Sequence, residues 1–178
     1  MLIVEKDTME PVCKPFASGW QMPFASSRGY GSLKLQYDVA RMLNARYART
    51  GQKAVILFIS DLDPSGLDLQ RAWEDAMRDF DVQIDAFVRI GLTRDQVDDI
   101  DNPRLREGIE VKPSDSRAKS YIAAYGERCW ETDILHAAVI EAAIDAEIRS
   151  WLDARAWIRR PSGAALGVRA KLKARKRG

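Results

Sequence analysis

The sequence predicts an α/β fold in which a mainly parallel central sheet is flanked by helices. Short apolar runs alternate along the chain with longer segments in which apolar residues recur at helical spacing. Residues 55–59 form a continuous apolar run, which is typical of a strand covered on both faces. A long helical pattern then precedes a basic C-terminal tail. The 178 residues are enough for one domain with a substantial core.

The first elements predict a β-α-β beginning. Residues 2–4 form a short apolar run that ends in Glu5, so this carboxylate lies at the end of a strand. Thr8 is expected to cap a helix over residues 9–16. A second short strand is expected over residues 21–25.

A polar loop with two glycines follows, and it leads into a helix. Residues 26–32 read SSRGYGS, and the helix over 33–49 is expected to begin after Ser32 and to end at Gly51. A loop of this kind with one arginine, Arg28, at a helix N-terminus suits phosphate binding. A flexible strand-to-helix connection is an equally good interpretation, and both stay open here. The spacing excludes a Walker A loop.

The central strand over residues 53–60 ends in two aspartates, Asp61 and Asp63. A turn over 64–66 and a helix from about Leu67 are expected to follow. The alternation of strand side chains points both aspartates to one side, so one metal ion could contact both. The carboxyl ends of strands are also where open α/β sheets bind ligands. The alternative is that Asp61 is a turn residue and Asp63 a helix N-cap.

The remaining elements complete a domain over residues 1–158. Residues 101–115 contain two prolines and predict a mostly irregular connection. Glu131 and Asp133 either join the site or cap the last helix. The other expected elements are a strand over 82–90, a short helix that starts at Thr93 with a capping box to Gln96, a helix over 116–125 stopped by Gly126, and a long helix over 134–158.

Composition excludes several classes of protein. With 46% hydrophobic and 30% charged residues, the chain is an ordinary globular protein. No run approaches the roughly 18 apolar residues of a membrane span, and the N-terminus lacks the basic start of a signal peptide. Cys13, Cys129 and a sole histidine, His136, argue against a zinc site and against histidine-based nucleophilic catalysis. We expect a cytoplasmic protein with reduced thiols.

The charge distribution is asymmetric. No acidic residue follows Asp153, whereas nine lysines and arginines do, which leaves the preceding residues net negative. An acidic body with a basic tail over 159–178 suits an enzyme that binds cations in its site and contacts a polyanion through its tail. A flexible, solubilising tail is the alternative.

Five motifs along residues 2–150 together resemble a Toprim domain. The closest branch is that of the A subunit of type VI DNA topoisomerase and the related meiotic proteins. Arg28 and Arg89 depart from this branch, which usually has Lys and Trp there. The motifs are V-E-K at 4–6, S-R-G-Y at 27–30, D-L-D-P-S-G at 61–66, R-I-G-L-T at 89–93 and W-E-T-D-I-L at 130–135.

This resemblance implies a Toprim-like Rossmannoid fold and Mg²⁺-dependent cleavage of DNA, with Mn²⁺ as a substitute. Glu5, Asp61 and Asp63 would be the metal ligands, and the resemblance also allows a role for Glu5 as a general acid/base instead. Arg28 would contact a phosphate, and the tail would bind the DNA backbone. The donor set agrees with Mg²⁺, which takes oxygen ligands and usually keeps several waters.

One departure affects the expected mechanism. In the topoisomerase branch the nucleophilic tyrosine lies in a winged-helix domain that precedes the Toprim part, whereas this sequence begins at the Toprim-like strand. We therefore expect a metal-activated water, a protein partner that supplies the nucleophile, or a fragment of a longer protein; a homodimer is also open. Two other functions remain as alternatives: a non-catalytic DNA-binding or assembly module with a Toprim fold, and a primase-like nucleotidyl transferase.

Overall fold

The computed structural model describes residues 1–27 and 32–152. Its central sheet has four parallel strands, and their spatial order is second, first, third, fourth. The strand order therefore reverses between the first and third strands, and such a reversal creates a crevice at their carboxyl ends. In chain order the strands are β1 (Leu2–Val4), β2 (Phe24–Ser26), β3 (Ala54–Ile59) and β4 (Ile84–Gly91).

Helices connect these strands and follow the last of them. In chain order they are α1 (Glu10–Gly19), α2 (Leu33–Thr50), α3 (Pro64–Asp79), α4 (Arg94–Asp98), α5 (Pro103–Glu107), α6 (Ala118–Tyr125) and α7 (Ala137–Trp151). Two single turns of 3-10 helix, Asp7–Met9 and Thr132–Ile134, precede α1 and α7. The predicted α/β class, with a mainly parallel sheet flanked by helices, is confirmed.

The sheet is buried on both faces, which explains the continuous apolar run of β3. Helices α1 and α7 cover one face, and α2 and α3 cover the other. Successive side chains of a strand point to opposite faces, so neighbouring residues of β1 and β3 enter different clusters. The first cluster includes Leu2, Val4, Leu57, Ile59, Cys13 and Ile144. The second includes Ile3, Ile56, Phe58, Leu43, Trp73 and Met77.

A small unit adjoins the carboxyl end of the sheet. It contains an antiparallel pair, β5 (Ile109–Glu110) and β6 (Arg128–Cys129), together with α5 and α6. Leu62 and Trp130 join it to the sheet by two backbone hydrogen bonds of 2.9 and 3.0 Å. Residues 101–115, predicted to be mostly irregular, also contain α5 and β5, which the sequence did not predict. The sequence of this segment lacks a clear period, so tertiary packing decides its structure.

Several predicted helix boundaries are confirmed by their caps. The Ser32 hydroxyl accepts a hydrogen bond from the Leu35 amide at 3.2 Å, and Gly51 ends α2 in the left-handed conformation. Thr93 and Gln96 form the predicted capping box of α4. Gly126 follows the last residue of α6, as expected.

Other boundaries differ from the prediction. Thr8 does not cap α1; it lies in the preceding 3-10 turn, and the N-cap residue of α1 is Met9. The short strand expected over 21–25 occurs at Phe24–Ser26, because its pairing with β1 sets its position. His136 caps α7 through Nδ1, which accepts from the Ala138 amide at 3.3 Å. The predicted end of the domain at 158, the tail over 159–178 and Arg28 lie outside the described residues.

Both cysteines carry free thiols and are buried. Burial raises the pKa of Cys13 to about 12, which keeps this thiol protonated and unreactive at neutral pH. Among residues 1–27 and 32–152, no helix is long and apolar enough to cross a membrane.

Replacement of Phe58 by Ala tests the central layer. Phe58 is fully buried, and its ring lies 5.5 Å from that of Phe87. We expect the change to lower the free energy of unfolding by about 3–5 kcal/mol, because it removes buried apolar surface and leaves a cavity. Leu33→Ala is the control, since Leu33 is 70% exposed. Urea denaturation followed by circular dichroism measures both; similar losses in the two variants would contradict the assigned core.

Candidate functional site

The reversal of strand order brings Glu5 and Asp61 to the same crevice. Val4 of β1 pairs with Ile59 of β3, and the Glu5 amide donates to the Ile59 carbonyl at 2.9 Å. Glu5 therefore lies directly beside the end of β3, from which residues 60–63 continue. This crevice is where an open α/β sheet is expected to bind a ligand.

A hydrogen bond links Glu5 to the aspartate pair. The Glu5 Oε2 atom accepts from the Asp61 amide at 3.0 Å, although the two residues are 56 positions apart. Burial raises the pKa of Glu5; the Asp61 amide partly offsets this effect, and the charges of Asp61 and Asp63 add to it. The shift indicates that the three carboxylates share one electrostatic environment.

The Asp61 side chain is buried and fully engaged. The side chain is 8% exposed, and its Oδ1 accepts from the Thr132 amide at 2.8 Å and from the Thr132 hydroxyl at 2.9 Å. Its Oδ2 forms an ion pair with Lys6 Nζ at 2.9 Å. Asp61 is thus more than a turn residue, because it ties β3 to the segment that precedes α7.

Asp63 is the N-cap of α3. Its Oδ1 accepts from the Gly66 amide at 2.6 Å, and its backbone is extended. The helix begins at Pro64, so the predicted turn over 64–66 was wrong; proline suits the first turn of a helix because it needs no amide partner there. Burial raises the pKa of Asp63, while the Gly66 amide lowers it and the Asp61 charge raises it further.

Gly66 allows the first turn of α3 to lie against the end of β3. A Cβ atom at this position would stand 2.2 Å from the Asp61 carbonyl oxygen and 3.1 Å from Ser60 Oγ. The Ser60 hydroxyl in turn donates to the Gly66 carbonyl at 3.1 Å. The glycine of the D-x-D-P-x-G motif therefore serves close packing, which holds the two aspartates in place.

Arg89 donates hydrogen bonds to the backbone at the end of β3. Its guanidinium donates to the Ser60 carbonyl at 3.0 Å, to the Leu92 carbonyl at 2.9 Å and to the Asp61 carbonyl. A further hydrogen bond reaches Gln70 Oε1 at 3.2 Å. Burial lowers the pKa of Arg89, and the nearby carboxylates oppose this effect. The sequence signal was an arginine that follows the apolar residues 86–88 of β4, but its partners are set by the fold.

Lys6, like Arg89, lies at the site although the sequence did not predict a role for it there. Its Nζ lies 2.9 Å from Asp61 Oδ2, 3.1 Å from Glu131 Oε2 and 3.8 Å from Asp133 Oδ2. Burial disfavours the charged ammonium, but the contacts with Asp61 and Glu131 outweigh this effect and raise the pKa of Lys6. Glu131 and Asp133 therefore join this network, and the alternative that they cap α7 is wrong.

The three predicted ligands offer carboxylate oxygens, which are the ligand type that Mg²⁺ prefers, but their side chains do not surround one common position. Within residues 1–27 and 32–152, no three His, Cys, Asp or Glu side chains stand close enough to hold one ion. In the same residues, Glu5 Oε1 and Asp63 Oδ2 accept no hydrogen bond. Mg²⁺ is usually held by one or two carboxylates together with waters and phosphates, so these two oxygens suit it. The metal role of Glu5, Asp61 and Asp63 stays a prediction.

The chain matches no protein-family model, no curated protein and no solved structure. The Toprim resemblance therefore stays a prediction that depends on the five motifs.

The Gly66→Ala variant tests the close packing between α3 and β3. We expect a loss of about 1–3 kcal/mol in the free energy of unfolding, because the new methyl group overlaps the Asp61 carbonyl. Gly19→Ala is the matched control: Gly19 also lies in a helix, and nothing surrounds its Cβ position within 4 Å. A Gly66→Ala protein as stable as the wild type in chemical denaturation would disprove the contact.

The Glu5→Gln variant tests the electrostatic coupling of the carboxylates. Because the folded state raises the pKa of Glu5, the folded protein holds this proton more tightly than the unfolded chain, and stability falls as pH rises above the ordinary carboxyl pKa. Glutamine carries no such charge. We expect Glu5→Gln to raise the melting temperature relative to wild type at pH 7 and to lose this advantage near pH 4.

The control for this comparison is Glu110→Gln, since the Glu110 side chain is 82% exposed. It should change the melting temperature little at either pH. A Glu5→Gln protein less stable than wild type at pH 7 would show that the hydrogen bond to Asp61 outweighs the burial of charge.

Proposed function

We propose that this protein cleaves DNA phosphodiester bonds with Mg²⁺ at the crevice between β1 and β3. The observation that carries the proposal is the 3.0 Å hydrogen bond from the Asp61 amide to Glu5 Oε2, which joins two distant motifs at the reversal of strand order. In open α/β sheets, ligands bind outside the carboxyl ends of the strands where the strand order reverses, and this rule holds whether or not the Toprim resemblance is correct.

The side chains at the crevice have distinct roles in this proposal. Glu5 and Asp63 would hold the cation through their uncommitted oxygens, and Asp61 would join them. When bound, Mg²⁺ neutralises phosphate charge and lowers the pKa of a bound water. A role for Glu5 as a general acid/base in place of a metal ligand is the alternative, since burial raises its pKa.

DNA is the substrate class that the Toprim resemblance implies. The nine basic residues after Asp153 support it, because lysine and arginine side chains bind the phosphate backbone and release counterions. The acidic crevice alone would repel DNA, so a basic segment and a bound cation are both needed in this proposal.

The tyrosines support a metal-activated water as the nucleophile. The Tyr121 hydroxyl is buried and donates to the Leu62 carbonyl at 2.7 Å and to the Arg128 carbonyl at 3.0 Å. Tyr125 stacks on Tyr121, and Tyr37 and Tyr47 are exposed on α2. None of these four takes part in the hydrogen bonds of Glu5, Asp61 or Asp63.

The Lys6 ion pair favours a second candidate function, a non-catalytic DNA-binding or assembly module. The ammonium already compensates the charge of Asp61 at 2.9 Å, so this buried aspartate has a cationic partner without a metal ion. A protein of this kind would bind DNA through its basic segment and would leave the phosphodiester bonds intact.

Cleavage of supercoiled plasmid DNA distinguishes the two functions. We expect nicking or linearisation in the presence of Mg²⁺ or Mn²⁺, and a loss of about 100-fold in Glu5→Gln and Asp63→Asn, since each change weakens the binding of the cation that stabilises the transition state. Asp85→Asn is the control. Asp85 lies near the start of β4, at the opposite edge of the sheet, and pairs only with Lys53, at 3.8 Å, among the described residues.

Each outcome of this assay decides between the functions. Equal cleavage by the wild type and both site variants would refute the proposed site. Salt-dependent DNA binding by the wild type, without cleavage under either metal, would establish the module instead. Circular dichroism at the assay temperature verifies that the variants are folded.

A further inference from the structure

Lys6 places a positive charge where a divalent cation would meet Asp61. The ammonium lies 2.9 Å from Asp61 Oδ2, and the other oxygen of this carboxylate already accepts two hydrogen bonds from Thr132. A cation that uses Asp61 must therefore bind at Oδ2, beside or in place of the ammonium. Two positive charges at such a short distance repel each other strongly in a partly buried site.

A second position for the ammonium is already built into the structure. Glu131 Oε2 lies 3.1 Å from Lys6 Nζ and Asp133 Oδ2 lies 3.8 Å from it, and the side chains of both acids are at least half exposed. Asp133 is fixed in turn by the Thr8 hydroxyl, which donates to its Oδ1 at 3.3 Å. A small rotation of the Lys6 side chain, which is 25% exposed, would leave Asp61 and keep two carboxylate partners.

We propose that Lys6 is an internal competitor of the divalent cation. Its ammonium binds Asp61 Oδ2 in the metal-free protein and transfers to Glu131 and Asp133 when the cation binds. This inference rests on the proposed function, because it takes Asp61 as a ligand. It assigns a role to a residue that touches Asp61 directly.

The inference predicts that replacing Lys6 and replacing its second set of partners, Glu131 and Asp133, have opposite effects on the affinity for the cation. Removal of the ammonium should favour the cation, because Asp61 is then uncompensated. Removal of the receiving carboxylates should disfavour the cation, because the displaced ammonium loses its alternative partners. A Lys6 with a purely structural role would lower stability when it is replaced, and it would leave the affinity for the metal unchanged.

Titration of the full-length protein with Mn²⁺ alone, followed by water-proton relaxation or calorimetry, measures this competition without DNA. We expect Lys6→Met to bind Mn²⁺ about tenfold more tightly than the wild type, and the double variant Glu131→Gln/Asp133→Asn to bind it several-fold more weakly. Lys34→Met is the matched control. Lys34 is exposed on α2 and forms a similar ion pair with Asp38 at 2.5 Å, so its replacement should leave the affinity unchanged.

The outcomes separate this inference from the proposed function. If the wild type binds Mn²⁺ and Lys6→Met binds it equally or more weakly, Lys6 is not a competitor, and the proposed site stands. If neither protein binds Mn²⁺, both the competition and the proposed function fail. The double variant at Glu131 and Asp133 keeps the test decisive should Lys6→Met not fold, because unchanged affinity in that variant overturns the transfer. Adding Glu5→Gln to Lys6→Met should abolish the tighter binding if the cation lies at this crevice.

Discussion

The pairing of β1 with β3 is the constraint on which the acidic crevice depends. Glu5 comes from the first turn of chain after β1, whereas the aspartates follow β3, and only the parallel register of Val4 with Ile59 sets them side by side. A slip of one residue would turn the side chains of β1 to the opposite face and would carry Glu5 away from the Asp61 amide. Burial of β1 in two apolar clusters fixes this register, so the core of the protein determines the geometry of its polar edge.

Two basic residues stabilise that edge in different ways. Arg89 donates to the main-chain carbonyls of Ser60, Asp61 and Leu92, so it shapes the path of the backbone. Lys6 contacts the carboxylates themselves. The planar, five-donor guanidinium suits several fixed carbonyls, while the compact ammonium on its flexible stem suits a group of carboxylates. Arg89 therefore holds the main chain, and Lys6 links the acidic side chains that this edge carries.

The sequence predicted the elements whose signals are local, and it failed where distant residues decide. Strands β1, β3 and β4, the Ser32 cap and the Thr93 capping box are read from neighbouring residues, and the structure has them. The start of α3 was placed too late because the Pro-Ser-Gly run resembles a turn as much as a first helical turn. Thr132 lies 71 positions from Asp61, and Arg89 is 29 from Ser60, so periodicity could not reveal either contact.

The backbone bridge between Leu62 and Trp130 makes the crevice inseparable from the C-terminal half of the chain. Leu62 stands between the two aspartates, and its amide and carbonyl are both taken by Trp130. The smallest excised fragment that retains this geometry must extend through Thr132, far beyond the four-stranded sheet. Amide hydrogen exchange at Leu62 and Trp130 should consequently be slow together, and local opening of the small unit would loosen the aspartates at the same moment.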